Sequence, residues 1–334
     1  MNPPRKFILD CDPGVDDAMA LYFALAQPGL ELLGITTTFG NVSVAQATRN
    51  ALYLCALAGR SIPVCPGVAT PLRKPPVQPD PEIHGADGLG NLPQRQPLHH
   101  GADERSAARF IVEQAQAHPG ELCLVATGPL GNLAQALRLE PQLPQLPQLL
   151  RRVVVMGGTI LEPGNVSPVA ESNVWHDPHA ADAVFTAGFA LTMVGLDVTH
   201  HLALPLALFE RLALHHQHPA TDTLLHAARF FADFHARSAP DLAAARACYG
   251  HDVLAVMALM RPDLFTMQAG RVRVATEGLA EGQTILDRRE QLAYPQPGWE
   301  ESIPRIQVGL QVDAPACLAL FEDALMRLQL PRQA

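Results

Sequence analysis

Short, continuous runs of Val, Ile and Leu alternate with longer amphipathic runs over about the first 200 residues of the chain. Continuous apolar runs are typical of strands buried on both faces, and the intervening runs have the periodicity of surface helices. This alternation predicts an α/β fold with an open, mostly parallel central sheet that is flanked by helices. The predicted strands are 7–10, 30–38, 121–126, 152–156 and 190–195, and the predicted helices are 16–27, 43–59, 103–118, 130–139 and 178–187.

The pattern changes after about residue 205, where it becomes helical through about residue 260. Strand-like runs near 271–275, 283–286 and 305–311 follow, and a helical run at 314–329 comes last. The sequence therefore predicts extra helices after the core of the sheet. Because no change of composition marks a boundary, we expect residues 1–334 to form a single domain.

One long stretch, residues 63–101, contains nine prolines and the sequence His84-Gly85-Ala86-Asp87-Gly88. A loop of this length in a compact domain is typically either an active-site lid or a disordered surface segment. We expect a mobile loop near the active site, and a surface loop without a function is the alternative.

Composition and charge exclude several classes of protein. Hydrophobic residues make up 48% of the chain and charged residues 17%, a mixture typical of globular rather than disordered proteins. The formal net charge of −9 argues against a nucleic-acid partner, which requires a basic face. No apolar run approaches the roughly 18 residues that cross a bilayer, so we expect no membrane partner.

The six cysteines and the amino terminus bear on localisation. The cysteines form no CxxC pair, which favours reduced, buried thiols. The opening MNPPRKFILD leads directly into the first predicted strand and leaves no room for a signal peptide. We therefore expect a cytoplasmic protein.

Four aspartates, Asp10, Asp12, Asp16 and Asp17, occur within eight residues at the junction of the first strand and helix. Two unit charges 4 Å apart repel by about 1 kcal/mol in water and about 4 kcal/mol at an effective dielectric of 20. A hard cation with oxygen ligands relieves such repulsion, whereas one or two of the aspartates could instead cap the helix. Since open α/β sheets hold ligands at the carboxyl ends of strands, we predict a cation site here.

Further polar groups follow the predicted strands and a later helix start. They include Thr127-Gly128 and Gly157-Gly158, and Asp197 follows the strand at 190–195. His251-Asp252 opens an apolar helix, either as a cap with a solvated His or as a metal-binding carboxylate beside a proton donor with a pKa near neutrality. The remaining histidines are expected to be solvated, namely His99, His100, His200, His201, His215, His216 and His218.

The ordered motifs of this chain resemble those of the inosine–uridine nucleoside hydrolases. The run Asp10-Cys11-Asp12-Pro13-Gly14-Val15-Asp16-Asp17-Ala18 is similar to the signature of that family, and the similarity extends over nearly the whole chain. It implies a nucleoside-hydrolase-like fold with a Rossmann-like core, and Ca²⁺-dependent hydrolysis of ribonucleosides to ribose and free base in salvage. It also implies a homo-oligomer, either a dimer or a tetramer. The other matching motifs are Thr38-Phe39-Gly40-Asn41, His84-Gly85, Thr127-Gly128-Pro129-Leu130, Met156-Gly157-Gly158, Gly164-Asn165-Val166, Glu171-Ser172-Asn173 and His251-Asp252.

The resemblance also implies a set of metal ligands. Asp12, Asp17 and Asp252 correspond to carboxylate ligands of Ca²⁺, and the main-chain carbonyl of Thr127 corresponds to a fourth ligand. Asp12 would also be the general base, and Asp10 would support the ligands from behind.

A second set of residues is implied to contact the ribonucleoside substrate. The residues around the sugar are Asp16 and Asn173 at the 2′- and 3′-hydroxyls, Asn165 and Glu171 at the 5′-hydroxyl, and Asn41 beside the carboxylates and the diol. Met156 belongs to the same substrate site. His251 would face the leaving base as its acid, and His84 would close over the base from the 63–101 loop.

Two other functions remain open from the sequence. The spacing Asp10-x-Asp12 also occurs in haloacid-dehalogenase-like Mg²⁺-dependent phosphatases, although Pro13 and Gly14 depart from their pattern. A non-catalytic nucleoside-binding protein would retain the same pocket. Base preference is open as well: we expect broad or purine-tolerant specificity, with candidate contacts at Phe230, Phe231, Phe234 and His235.

Overall fold

A nine-stranded sheet forms the centre of the computed structural model, within the described residues 3–95, 101–139, 146–289 and 294–332. Two further strands pair with each other in a separate antiparallel ribbon, β7 with β8. The strands are β1 (Arg5–Cys11), β2 (Leu30–Thr37), β3 (Val64–Pro66), β4 (Cys123–Ala126), β5 (Arg152–Met156), β6 (Leu191–Val194), β7 (Ala203–Pro205), β8 (Ala247–Tyr249), β9 (Phe265–Val274), β10 (Thr284–Asp287) and β11 (Ile306–Val312).

Helices follow most of the strands, and several more are inserted between β7 and β9. This confirms the prediction of extra helices after about residue 205. The helices are α1 (Val15–Leu25), α2 (Val44–Leu57), α3 (Pro81–His84), α4 (Ala107–Ala117), α5 (Gly131–Leu139), α6 (Leu146–Leu149), α7 (Ser172–His176), α8 (Pro178–Phe185), α9 (Leu196–Thr199), α10 (Leu206–His216), α11 (Pro219–Ser238), α12 (Pro240–Ala245), α13 (His251–Met260) and α14 (Ala314–Met326).

The strand order is β10-β9-β11-β6-β5-β4-β1-β2-β3. All neighbours from β3 to β11 are parallel, and β9 and β10 add an antiparallel edge. This confirms the predicted open, mostly parallel sheet. The order reverses between β1 and β4, and ligands of such sheets bind outside the carboxyl ends of the strands at that point.

The central strands are apolar throughout because helices cover both faces of the sheet. Phe7 and Leu9 of β1 belong to a core cluster with residues of α1 and α13, whereas Ile8 belongs to the cluster on the other face with residues of α4 and α5. Burying each such side chain stabilises the fold by about 1.5–3 kcal/mol. The core therefore fixes the end of β1, from which the acidic run emerges.

Several short elements were absent from the sequence prediction. The stretch 63–101 contains the edge strand β3 and the one-turn helix α3, and the ribbon β7–β8 lies where only helices were expected. Each of these strands has three residues, and β3 and β7 end in proline, which edge strands tolerate. The mobility of the 63–101 loop and the single-domain organisation stay predictions.

Among the residues that the structure describes, none of the helices has both the length and the apolar character needed to cross a membrane. The six cysteines are buried and unpaired, as the sequence predicted.

Candidate active site

The turn between β1 and α1 holds the acidic run at the sheet's switch point. The Asp17 carboxylate accepts hydrogen bonds from the backbone N–H of Gly14 (2.9 Å), the Thr127 hydroxyl (2.8 Å) and the Asn41 amide (3.2 Å). A side chain at Gly14 would lie 2.7 Å from atoms of both Asn41 and His84. The turn therefore requires glycine because side chains from the segment after β2 and from the 63–101 loop close directly over it.

Asp12 and Asp16 each have one buried carboxylate oxygen without a hydrogen-bond partner in the described structure. The other oxygen of Asp12 accepts the backbone N–H of Asn41 at 2.6 Å. Gly40 and Gly128 pack against Asp12 so closely that a Cβ at either position would lie 2.0 or 2.7 Å from its carboxylate. A buried carboxylate oxygen without a partner destabilises the folded protein, and a bound cation would offset that cost here.

Asp16, Asp17 and Asp252 form the acidic group best placed to hold a metal, with one oxygen from each lying within 4.8 Å of the others. Burial raises the pKa of Asp252 well above its ordinary value, and the charges of Asp16, Asp17 and Asp12 raise it further. Burial also raises the pKa of Asp12, with the Asp17 charge as the next cause. An all-oxygen set of this kind fits a hard divalent cation, which would stabilise the charged carboxylates. Asp12 lies outside the group of three, so its role as a ligand stays a prediction.

Asp10 lies beneath this group, completely buried. One of its oxygens accepts from the Thr36 hydroxyl (2.5 Å) and the Asn132 amide (2.7 Å), and the other has no partner among the described residues. Burial raises the pKa of Asp10 to about 6, against the lowering effect of those two hydrogen bonds. Its role in supporting the metal ligands stays a prediction.

The raised pKa of Asp10 predicts a pH-dependent stability in the metal-free protein. Between about pH 4 and pH 6 the folded state keeps a proton that the unfolded chain has released, so stability falls as pH rises through this window. The difference amounts to about 3 kcal/mol of unfolding free energy. Denaturant unfolding at pH 4 and pH 6.5 measures the fall in unfolding free energy between these two pH values. In Asp10→Asn this fall should be smaller than in the wild type by about 3 kcal/mol. An equal fall in unfolding free energy in the two proteins would contradict the prediction.

Glu171 and Asn173 connect the loop after β5 to the acidic turn. The Glu171 carboxylate caps α7, accepting backbone N–H groups of Asn173 (2.8 Å), Gly158 (2.8 Å) and Val174 (3.1 Å). The Asn173 amide donates to the carbonyl oxygens of Thr127 (2.9 Å) and Met156 (3.2 Å). The Thr127 carbonyl retains a second lone pair, so this bond leaves its predicted role as a metal ligand open.

A cavity of about 430 Å³ opens above the acidic group. That volume is within the usual range for small-molecule sites. Asp12 and Asp17 are not among the residues that line it, but both hydrogen-bond to Asn41, which does line it. The structure brings together at this cavity nearly all the residues implied by the resemblance, namely Asp16, Asn41, His84, Thr127, Met156, Asn165, Glu171, Asn173, His251 and Asp252.

The rest of the cavity lining includes a set of rings that we call the aromatic wall, composed of His200, Phe231, Phe234, His235 and Tyr249. Tyr249 stacks on His200 with ring centroids 4.9 Å apart and meets His235 edge-on at 5.0 Å. His200 is half-buried rather than fully solvated, because the end of α9 brings it against Tyr249 of β8. Nothing in the local sequence pointed to His200. The Phe230 side chain, also a candidate base contact, is not among the rings of this wall.

The cavity histidines are neutral at pH 7. Burial lowers the pKa of His84 to about 3 and that of His235 to about 4. Burial also lowers the pKa of His251 well below its ordinary value, and the nearby His200 and His235 add to this. The expectation of a His251 pKa near neutrality is therefore wrong for the ligand-free cavity, because the ring has lost its hydration. Its Nδ1 lies 2.8 Å from the Thr199 hydroxyl.

Two other sequence expectations have different outcomes. Asp197 does not reach the cavity, because its carboxylate accepts the backbone N–H groups of Ile160 (2.7 Å) and Leu161 (2.6 Å). His218 is buried rather than solvated and caps α11 by accepting a backbone N–H of that helix. His99 and His100 lie outside the described residues.

Comparisons with known proteins identify relatives of this chain over nearly its whole length. The family model for inosine-uridine preferring nucleoside hydrolase matches residues 7–319. Uridine nucleosidase 1 of Arabidopsis thaliana is 37% identical, over 97% of this chain and 94% of that protein. The inosine-uridine preferring nucleoside hydrolase of Leishmania major is 36% identical, over 98% and 100% respectively.

Solved structures show the same fold. A plant nucleoside hydrolase superposes with a TM-score of 0.89 at 35% identity, covering 97% of this chain and 99% of the other. A purine-preferring ribonucleoside hydrolase from Gardnerella vaginalis gives 0.87 at 33% identity, with the same coverage. The chain therefore belongs to the inosine-uridine preferring nucleoside hydrolase family, whose members hydrolyse the N-glycosidic bond of ribonucleosides.

Proposed function

We propose that this hydrolase uses Ca²⁺ to convert ribonucleosides to ribose and free base, with Asp12 as the general base. The observation that carries the proposal is the pair of buried, unpartnered oxygens on Asp12 and Asp16 beside the Asp17 and Asp252 carboxylates. Asp16 and Asp252 line a cavity of about 430 Å³ that also has an aromatic wall. The carboxylates can bind the hydroxyls of a sugar, and the rings of the aromatic wall can stack on a planar base.

Asp12, Asp17, Asp252 and the Thr127 carbonyl would hold the cation. All of these donors are oxygens, and Ca²⁺ accepts six to eight oxygens in flexible geometry, whereas Mg²⁺ requires near-octahedral order. When bound, the cation supplies Lewis-acid polarisation of a water and of the sugar diol. With the two ribose hydroxyls and a water, these four protein oxygens would make about seven ligands, which suits Ca²⁺ better than six-coordinate Mg²⁺.

Asp12 would take the proton of the attacking water. The Asn41 N–H fixes one carboxylate oxygen at 2.6 Å, so the unpartnered oxygen is held in a single orientation. An oriented base in a water-poor site is what activation of water requires.

The sugar-binding residues stabilise the charge that develops on the ribose ring. Cleavage of the glycosidic bond passes through an oxocarbenium-like transition state, which is positively charged. Asp16 and Asn173 would hold the 2′- and 3′-hydroxyls, and Asn165 and Glu171 the 5′-hydroxyl. Because these groups are fixed before the substrate arrives, they favour the transition state over the neutral ground state. Asn165 already accepts the backbone N–H of Ser172 at 2.9 Å, and the Glu171 cap fixes the other member of that pair.

His251 would act on the leaving base, and Met156 and His84 would contact the substrate beside it. A neutral His251 can donate its ring N–H in a hydrogen bond to the base, which stabilises the negative charge that develops there as the glycosidic bond breaks. Its Nδ1 contact with Thr199 fixes the plane of the ring. Specificity is proposed to include both purine and pyrimidine bases, because rings rather than ion pairs make up the wall that the base would meet.

A product assay tests this function. Inosine, adenosine, guanosine, uridine and cytidine are each incubated with the enzyme, and free ribose and free base are quantified. We expect both products in equal amounts, loss of activity in a chelator, and recovery on addition of Ca²⁺ but much less recovery with Mg²⁺. Full activity in excess chelator would contradict the metal requirement, and nucleoside binding without ribose release would contradict hydrolysis.

A further inference from the structure

His235 is a polar side chain in the aromatic wall. The proposed mechanism assigns it no role. It lies on α11, is only 5% exposed, and lines the cavity. Its ring packs between Phe231, at a centroid distance of 4.3 Å, and Tyr249, at 5.0 Å. A buried polar ring on the wall of a binding cavity needs an explanation for each of its two nitrogens.

The hydrogen bonding of His235 fixes which nitrogen carries the proton. Its Nδ1 lies 2.9 Å from the carbonyl oxygen of Phe231, one helical turn earlier. A carbonyl oxygen only accepts, so Nδ1 is the donor. Because burial lowers the pKa of His235 to about 4, the ring is neutral at pH 7 and Nε2 carries a lone pair. The hydrogen bonds of the described residues include none to this Nε2, and the atom is not one of the fully buried unpaired atoms, so it is open to a ligand.

The cavity therefore presents an unused acceptor among rings that would stack on a base. Its complement on a ligand is an N–H group, and a base without one would leave Nε2 buried and unpaired. Uracil attached to ribose has a single N–H, at N3, and hypoxanthine attached to ribose also has one, at N1. These two bases match the acceptor with one ring N–H each.

We propose, on the basis of the function proposed above, that His235 determines base specificity by accepting a hydrogen bond from a ring N–H of the base at Nε2. The residue acts at the leaving-group end of the cavity and has no part in water activation. It favours substrates whose base offers such a donor and penalises those in which the donor is blocked.

The test compares uridine with 3-methyluridine, which differs only by a methyl group at the single N–H. We expect wild-type kcat/KM to be about 10- to 100-fold higher for uridine, the cost of an unpaired buried acceptor. In His235→Phe, which keeps the aromatic packing without the acceptor, we expect the two substrates to differ by less than about threefold. His235→Gln, whose amide oxygen can accept, should restore part of the preference.

His226→Phe is a matched control on the same helix. His226 binds the Gly90 carbonyl at 2.8 Å and does not line the cavity, so its variant should keep the wild-type uridine preference. A preference that persists in His235→Phe would mean steric exclusion of the methyl group and would overturn the proposal. Equal wild-type activity on both substrates would also overturn it. Failure of the enzyme to release ribose from any nucleoside would instead overturn the proposed function.

Discussion

Asp12→Asn is expected to lower turnover of every nucleoside by about 10⁴-fold while leaving the protein folded. The substitution removes the unpartnered oxygen that would take the proton of water, and it also removes one carboxylate from the proposed cation site. The Asn41 N–H can still donate to the amide oxygen of the substituted side chain, so the local turn is preserved. Steady-state release of ribose from inosine and uridine measures the loss.

Stability measurements separate this chemical loss from misfolding. Because burial and the Asp17 charge raise the pKa of Asp12, a neutral side chain should not destabilise the metal-free protein. The same substitution at Asp10, which is directed toward Thr36 and Asn132, is the matched control and should cost far less turnover. If Asp12→Asn kept more than about a tenth of the activity, the assignment of Asp12 as the base would be wrong.

His251→Ala is expected to lower kcat for purine nucleosides by about 10²-fold or more, the usual contribution of a proton-donating group. A departing purine is a poor leaving group unless its developing negative charge is neutralised. A riboside of 4-nitrophenol needs no such help and should lose much less activity. Comparison of kcat for inosine and for this riboside in the variant measures the effect.

Thr199→Val provides a milder perturbation of the same group. It removes the hydroxyl that lies 2.8 Å from Nδ1 of His251 and leaves the imidazole in place. We expect a smaller loss than in His251→Ala, again larger for inosine than for the activated riboside. Wild-type inosine kinetics in His251→Ala would remove this residue from the mechanism.

The acidic part of the site could be predicted from the sequence because its chemistry is local. Asp10, Asp12, Asp16 and Asp17 occupy one strand-to-helix turn, and like charges at that spacing indicate a cation whatever the rest of the chain does. The strands β1, β4 and β5 could also be predicted from the sequence. A strand that is covered on both faces is a continuous apolar run, without alternating polar residues. Asp252 was assigned as a ligand only through the family resemblance, since its own surroundings in sequence are those of an ordinary helix start.

The aromatic wall could not be predicted in the same way. His200, His235 and Tyr249 come from the end of α9, from α11 and from β8, and their contacts exist only because the ribbon β7–β8 brings these elements together. A three-residue strand ending in proline leaves almost no periodic signal, so the ribbon itself was missed. The pKa of His251 was misjudged for a related reason, because desolvation depends on tertiary packing that no local pattern records.

The proposed function depends on one divalent cation that binds Asp12, Asp17 and Asp252 and there engages the sugar diol. Crystals of the enzyme grown with Ca²⁺ and ribose test it directly. We expect anomalous density for the cation at coordinating distance from these three carboxylates and the Thr127 carbonyl. The two ribose hydroxyls should also coordinate the cation. Ribose bound elsewhere, or a cation-free cluster with Asp252 turned away from Asp17, would contradict it.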